Sequence, residues 1–350
     1  MRIIYDDIIY SLQKSGGGSV YWTEIIKRFK EYSEHYVYDN AHENFFYDDA
    51  NLPQPHILSS NFLPIKRYFN VKLKHHNLPF IFHSSLYRLC RNNNAINITT
   101  VHDFTYEYYR KDWKSNFHKN QKKNSVINSD GVICISENTK QDLLKFYPEF
   151  HGRIKVIYNG YSTDKYFFNP NVQKTKNILY VGARTDYKRF DFAIELVSLL
   201  PECQLIIVGG GSLNRNEKNL LNQKLLNRYL KKDNVSDEAL CELYNSAFFL
   251  CYPSEYEGFG IPIIEAQACG CPVVCQPKSS IPEVVNGTAV FINSNDLNGS
   301  ILNIRQLFNS AFYKDIQFKG LANAKRFSWD KCANEVKSFY EEVYNDVTKH

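Results

Sequence analysis

Short apolar runs alternate along this chain with stretches of helical periodicity, and the alternation occurs twice. The first series opens with Arg2-Ile3-Ile4-Tyr5, passes through Gly16-Gly17-Gly18 into a helical stretch over Ser19–Lys30, and continues with apolar runs at Ile96–Val101, Gly131–Ile135 and Ile154–Tyr158. The second restarts at Asn177–Val181 and continues with Gln204–Val208, Phe248–Tyr252, Pro272–Cys275 and Ala289–Ile292, each followed by a turn or helix. Near-continuous apolar strands alternating with helices predict parallel sheets covered on both faces, so the fold class is α/β with two Rossmann-like domains. The expected domains are 1–165 and 166–328, joined near Asn159–Asn171 where Asn-Gly, Asn-Pro and polar residues cluster. The segment Tyr38–Asn94 is polar and proline-punctuated and yields no clear element. The tail predicts a helix over 329–350 with Ser328 as N-cap and Ala333, Val336, Phe339, Tyr340 and Val343 on one face.

One block carries more chemistry than the rest. Glu257 and Glu265 are separated by seven residues in Glu257-Gly258-Phe259-Gly260-Ile261-Pro262-Ile263-Ile264-Glu265, after the apolar run Ala247–Tyr252 and across the start of a helix predicted over Ile261–Ala268. Glu257 therefore lies in a strand-to-helix loop. Gly258 and Gly260 allow backbone amides close to a ligand, and the helix N-terminus adds partial positive charge suited to a phosphate. Eight positions of helix rise place the carboxylates about 12 Å apart, at about 1.5 Å per residue. A nucleotide diphosphate sugar has a similar length, with one carboxylate for sugar hydroxyls and the other for ribose hydroxyls. The loop Gly182-Ala183-Arg184-Thr185-Asp186-Tyr187-Lys188 follows the strand Ile178–Val181 and offers a guanidinium and an ammonium to a departing diphosphate. Gly17 and Gly18 in the first glycine run, and Gly209 and Gly210 in Val208-Gly209-Gly210-Gly211, form two further candidate ligand loops. Alternatively, each is a plain turn before a helix. His102 ends a probable strand, with Asp103 beside it as a capping or orienting group, and His83 is a weaker acceptor-side candidate.

Together these segments resemble the retaining glycosyltransferases of family GT4, whose E-x7-E signature Glu257 and Glu265 match. The resemblance extends in order to Met1–Lys30, Thr99-Thr100-Val101-His102-Asp103, Ser129–Asp142, Ile154–Gly160 and Ile178–Phe190. It implies a GT-B fold: two Rossmann-like domains facing a cleft, with the C-terminal helix returning to the acceptor-binding N-terminal domain and the nucleotide-sugar donor held by the C-terminal one. It implies Glu257, His102, Arg184 and Lys188 as catalytic residues. Gly17, Gly18, Gly182, Gly209, Gly210, Gly258, Phe259, Gly260 and Glu265 are implied as donor-binding. The implied reaction moves a hexose from a UDP- or GDP-sugar to a hydroxyl of a glycan or lipid-linked acceptor, as in lipopolysaccharide O-antigen or capsule synthesis. Attack on the same face as departure retains the anomeric configuration, with Glu257 positioning the sugar. Arg189 stands where many relatives have glycine or asparagine, which leaves the donor subtype open.

Composition narrows the alternatives. The 350 residues, 43% hydrophobic and 23% charged, suit a two-domain globular protein. No apolar run reaches membrane-spanning length and the first residues do not form a signal peptide, so the expected location is cytoplasmic, at the inner face of the membrane. Nine cysteines lie mostly in apolar segments and read as buried thiols. The Cys269, Cys271, Cys275 spacing does not suit zinc. With no Asp-x-Asp pair, neither metal nor other cofactor is expected. Residues 1–165 hold 22 basic and 17 acidic side chains, and the window 61–123 holds 12 and 3 among many aromatics. Such a window suits an anionic membrane surface or a lipid-linked diphosphate, or is simply a solvated lysine-rich surface. No nucleic-acid-binding motif accompanies it. A sugar-nucleotide epimerase, a phosphorylase and a non-catalytic donor-binding subunit share these features and remain open.

Overall fold

The computed structural model describes residues 1–73 and 77–349. These separate into two compact units, Met1–Gly160 with Trp329–His350, and Tyr161–Ser328. In the first unit, β1 (Arg2–Asp6), β2 (Ser33–Tyr38), β3 (His56–Leu58), β4 (Phe80–Ser84), β5 (Ala95–Val101), β6 (Gly131–Cys134) and β7 (Arg153–Val156) form one sheet in the order β3-β2-β1-β4-β5-β6-β7. Every neighbouring pair is parallel. In the second, β8 (Asn177–Val181), β9 (Gln204–Val208), β10 (Tyr229–Lys232), β11 (Phe249–Tyr252), β12 (Val273–Cys275) and β13 (Val290–Phe291) form a parallel sheet in the order β10-β9-β8-β11-β12-β13. The two sheets share one winding: three strands laid outward, then a return to the other side of the first. Each is a Rossmann-like α/β fold. The reversal, between β1 and β4 and again between β8 and β11, leaves a crevice at the strands' carboxyl ends where ligands of this architecture bind.

The last helix, Trp329–Thr348, belongs to the first unit and buries Trp329, Ala333, Val336, Phe339, Tyr340 and Val343 against it. It lies so close to β6 that a Cβ on Gly131 would sit 2.9 Å from both Phe339 and Val343. A polar chain runs through this interior. Tyr340 Oη lies 2.6 Å from His83 Nδ1 and 3.2 Å from Tyr5 Oη, and His83 Nε2 lies 3.0 Å from Thr100 Oγ1. Burial holds the His83 pKa down to about 3, so the ring is neutral and uses both nitrogens structurally. His83 is fully enclosed and is not an acceptor-side group.

The glycine run differs from its expected placement. Gly16–Gly18 do not end β1, because a short helix, Ile9–Leu12, intervenes, and Gly17 and Gly18 are the first residues of the helix Gly17–Phe29. A Cβ on Gly17 would meet nothing within 4 Å, so packing does not demand glycine there. The basic window is also less superficial than its composition implies. Arg88 turns inward to Asp6 at 3.3 Å and the Tyr38 hydroxyl at 3.0 Å, while Lys122 is buried against Glu107 at 2.7 Å and over the Phe104 ring at 4.6 Å. Lys74, counted in that window, lies outside the described residues. All nine cysteines are buried free thiols, and among the described residues no helix is long and apolar enough to cross a membrane.

Candidate functional site

In the second unit the reversal between β8 and β11 brings two loops together. The loop after β8 ends in a single 3-10 turn, Asp186–Lys188, and the loop after β11 runs through Glu257 to the helix Ile261–Ala268. Lys188 Nζ donates to Glu257 Oε1 at 2.8 Å, and the Tyr252 hydroxyl also hydrogen-bonds this carboxylate. The loops are tied further by the Glu255 amide, which donates to the Tyr187 carbonyl at 2.7 Å. Thus a cation and a carboxylate, partly open to solvent, stand side by side at the strands' ends. Gly260, at φ 104°, starts the helix in a conformation that favours glycine, and its carbonyl accepts the Ile263 amide at 3.0 Å.

Arg184 is placed differently from Lys188. Its Nε donates to Glu217 at 2.9 Å, and its terminal nitrogens donate to the carbonyls of Gly209, Gly211 and Ser212 at 2.8, 3.0 and 2.9 Å. With the side chain only 4% exposed, the guanidinium clamps the Gly209–Ser212 loop. Glu217 itself closes a capping box with Asn214 at the start of the helix Arg215–Leu225. The clamp requires glycine: Gly210 has φ 74°, and a Cβ there would lie 2.5 Å from Arg184 Nη1 and 2.7 Å from the Gly182 carbonyl. Phe259 turns its ring into the interior, edge-on to Phe327 at 5.6 Å, so only its backbone can meet a ligand. Thr185 Oγ1, in the same β8 loop, is buried with no hydrogen-bond partner among the described residues.

Glu265 is half-buried, and its carboxyl group receives a hydrogen bond from the Tyr244 hydroxyl at 3.3 Å. Desolvation, reinforced by the nearby charge of Asp237, pushes its pKa up to about 8. Asp237 is held by Lys165 at 2.7 Å and by the Tyr166 hydroxyl at 2.9 Å. At neutral pH Glu265 is therefore mostly a protonated acid. In the first unit, His102 follows β5 with the Tyr21 ring edge-on at 4.9 Å, and burial lowers its pKa to about 4. Its imidazole is neutral. Asp103 accepts the Thr105 amide at 2.8 Å, a local cap.

Several residues around Glu257 gave no sequence signal. Ser279 accepts the Glu257 amide at 2.8 Å, and Ser280 donates to the carbonyls of Glu257 and Phe259 at 2.9 and 3.1 Å. Glu255 collects Arg189 at 3.2 Å, Lys278 at 3.6 Å and Ser294 at 3.3 Å. The only hint was position: Lys278, Ser279 and Ser280 follow the apolar run at Pro272–Cys275, on the same side of the sheet as the Glu257 loop.

Family models match in the same order as these units. Residues 15–165 match Glycosyltransferase Family 4, and residues 162–315 match Glycosyl transferases group 1. The chain belongs to glycosyltransferase family GT4. Among its relatives, this glycosyltransferase is 28% identical over 269 residues to the O-antigen chain mannosyltransferase B of Escherichia coli, covering 70% of each chain. It is 30% identical over 215 residues to the O-antigen chain mannosyltransferase RfbU of Salmonella typhimurium, covering 59% of this chain and 60% of that one. The sucrose-phosphate synthase from Thermosynechococcus elongatus superposes with a TM-score of 0.76 at 16% identity, over 99% of this chain and all of that one. Anabaena HepE, solved with UDP and glucose, does so with a TM-score of 0.76 at 14% identity, over 98% of this chain and all of that one. Those likenesses establish the GT-B fold of the glycosyltransferase.

Proposed function

We propose that this glycosyltransferase moves a hexose from a nucleotide-diphosphate sugar to a hydroxyl of a growing glycan or lipid-linked oligosaccharide, with retention at the anomeric carbon. Mannose is the sugar favoured by the names of the two bacterial relatives, and O-antigen assembly is the corresponding process. The observation that carries the reading is the Lys188–Glu257 pair at 2.8 Å, at the reversal between β8 and β11 and beside the N-terminus of the helix Ile261–Ala268.

Each group has a task in this reading. The Lys188 ammonium and the amides near Gly258 and Gly260 stabilise negative charge as the diphosphate departs, and the carboxylate that Lys188 releases accepts hydrogen bonds from sugar hydroxyls. Arg184 acts through the loop it clamps: it fixes the Gly209–Gly211 backbone beside Gly182 so that the phosphates meet a prepared surface. Glu265 takes the ribose hydroxyls, and the neutral His102 imidazole hydrogen-bonds the transferred sugar. No carboxylate is assigned as nucleophile; the departing phosphate oxygen takes the acceptor's proton as the acceptor attacks from the same face. Gly17 and Gly18 would serve the acceptor side through backbone amides.

Thermal-shift measurements with UDP, GDP and ADP, followed by incubation with the matching sugar donors, test the reading. One nucleotide should raise the melting temperature in proportion to the logarithm of its concentration, and its sugar should be transferred or slowly hydrolysed. Interconversion of the sugar without transfer, or binding without turnover, contradicts the proposal.

A further inference from the structure

We propose that the face of the first unit carrying Phe62, Ile65, Tyr68, Phe69, Trp113 and Phe117 docks onto a bilayer surface containing anionic lipid. Five of these side chains are between 58% and 75% exposed, and Tyr68 is 40% exposed. They come from two segments that meet. The Phe117 ring lies 6.4 Å from Tyr68 and 6.0 Å from Trp113, and the Gln121 side chain donates to the Arg67 carbonyl at 2.5 Å. The helix Trp113–Ile127 is thereby fastened beside the short helix Leu63–Lys66. Apolar side chains so numerous and so exposed on one face of a globular unit indicate a surface that is covered in use.

Charge identifies what covers it. The stretches 61–73 and 110–123 hold nine basic residues, and Asp112 is their one acid. Lys122 is paired with Glu107 and Lys123 with Glu149, and the other seven cations lie outside those pairs. Two of them flank the aromatic rings directly: Arg67 lies 5.4 Å over Tyr68, and Lys114 lies 5.6 Å over Trp113. Asp112 is engaged locally, capping the helix by accepting the Ser115 amide at 2.9 Å. Aromatic rings that enter the headgroup region, bordered by cations that meet acidic headgroups, are complementary to an anionic leaflet. A second copy of the chain would present the same basic face and be repelled.

Trp113 provides the readout. The chain has three tryptophans, and Trp22 and Trp329 are 1% and 2% exposed, so solvent-sensitive emission comes from Trp113. Titrating the full chain with phosphatidylcholine vesicles containing 30 mol% phosphatidylglycerol should blue-shift the emission, and brominated acyl chains should quench it. Neutral phosphatidylcholine vesicles should bind at least about tenfold more weakly. Co-sedimentation of R67Q/K114Q with the anionic vesicles should fall about tenfold and depend less steeply on salt, and F117A should fall similarly while keeping its far-UV circular dichroism. W113F should still sediment but give no shift. The proposal is overturned by equal binding to neutral vesicles, by no binding to either, by a blue shift that follows protein concentration without lipid, or by tighter binding to a single-stranded oligonucleotide.

Discussion

Replacing Glu265 with glutamine should change how the stability of the second unit depends on pH. Desolvation and the charge of Asp237 raise the carboxyl from its ordinary value near 4.5 to about 8. An acid whose folded-state pKa is raised binds its proton more tightly when folded, so the unfolded state loses protons first as pH rises. Stability is then intact below the unfolded value near 4.5 and falls until pH passes the folded value near 8. The slope approaches about 1.4 kcal/mol per pH unit, which gives a loss of about 3 kcal/mol between pH 5 and pH 8. Glutamine keeps the shape and can still accept from Tyr244, but it does not titrate. The two proteins should therefore diverge with pH, glutamine becoming the more stable by about 3 kcal/mol at pH 8 relative to the difference at pH 5. Tryptophan fluorescence would miss this, because Trp22, Trp113 and Trp329 all lie in the first unit. Hydrogen exchange of amides in β8, β9 and β11, corrected for intrinsic rates, reads the second unit directly. Parallel pH profiles for the two proteins would mean that the Glu265 carboxyl does not bind its proton more tightly in the folded state.

Other substitutions test separate parts of the structure. Gly210→Ala and Gly211→Ala share positive φ values of 74° and 72°, but an added Cβ meets Arg184 and Gly182 at the first position and nothing within 4 Å at the second. Both should lose about 1–2 kcal/mol from backbone conformation, and only Gly210→Ala should lose more in the same exchange experiment. Arg184→Lys removes the fork that holds three carbonyls and Glu217; donor KM should rise and exchange over 209–217 should accelerate, whereas Lys188→Met should lower kcat and leave that exchange unchanged. Tyr340→Phe leaves His83 and Tyr5 short of a buried partner and should cost about 1–3 kcal/mol in urea unfolding followed by tryptophan fluorescence.

The sequence was most legible where one physical requirement ruled a segment. The strands β8 and β9 and the helix Ile261–Ala268 occur at the residues their apolar pattern and first-turn proline indicate. Four strands were not read, each for a reason visible in its surroundings. In Ser33–Tyr38, polar side chains are buried: His35 is sandwiched between the Asp7 carboxylate at 2.7 Å and the Ser33 hydroxyl at 2.8 Å, so hydropathy conceals an interior strand. The strands β3 and β10 lie at the edges of their sheets, where exposed Ile57 and the lysines of Tyr229–Lys232 blur the contrast between faces. The run Phe80–Ser84 is apolar, but it sits in a proline-punctuated stretch whose neighbours give it no context. The site was legible in the same uneven way. A loop cation followed by an E-x7-E block marks Lys188 and Glu257, but a basic residue's number of neighbours is not written in its identity. Arg184 therefore read as a phosphate ligand although its guanidinium is occupied by Glu217 and three carbonyls. Ser279 and Ser280 reach the Glu257 loop only through the β11–β12 pairing, which no local pattern encodes.

Glu257 is the carboxylate proposed to hold the transferred sugar, and turnover of the preferred sugar nucleotide by Glu257→Gln at saturating donor, alongside the affinity for the free nucleotide, tests that role directly. Loss of a charge-assisted hydrogen bond in the transition state should lower turnover about a hundredfold, while nucleotide affinity stays within a few-fold of the wild type. Turnover within a few-fold of the wild type would show that Glu257 does not hold the sugar in the transition state.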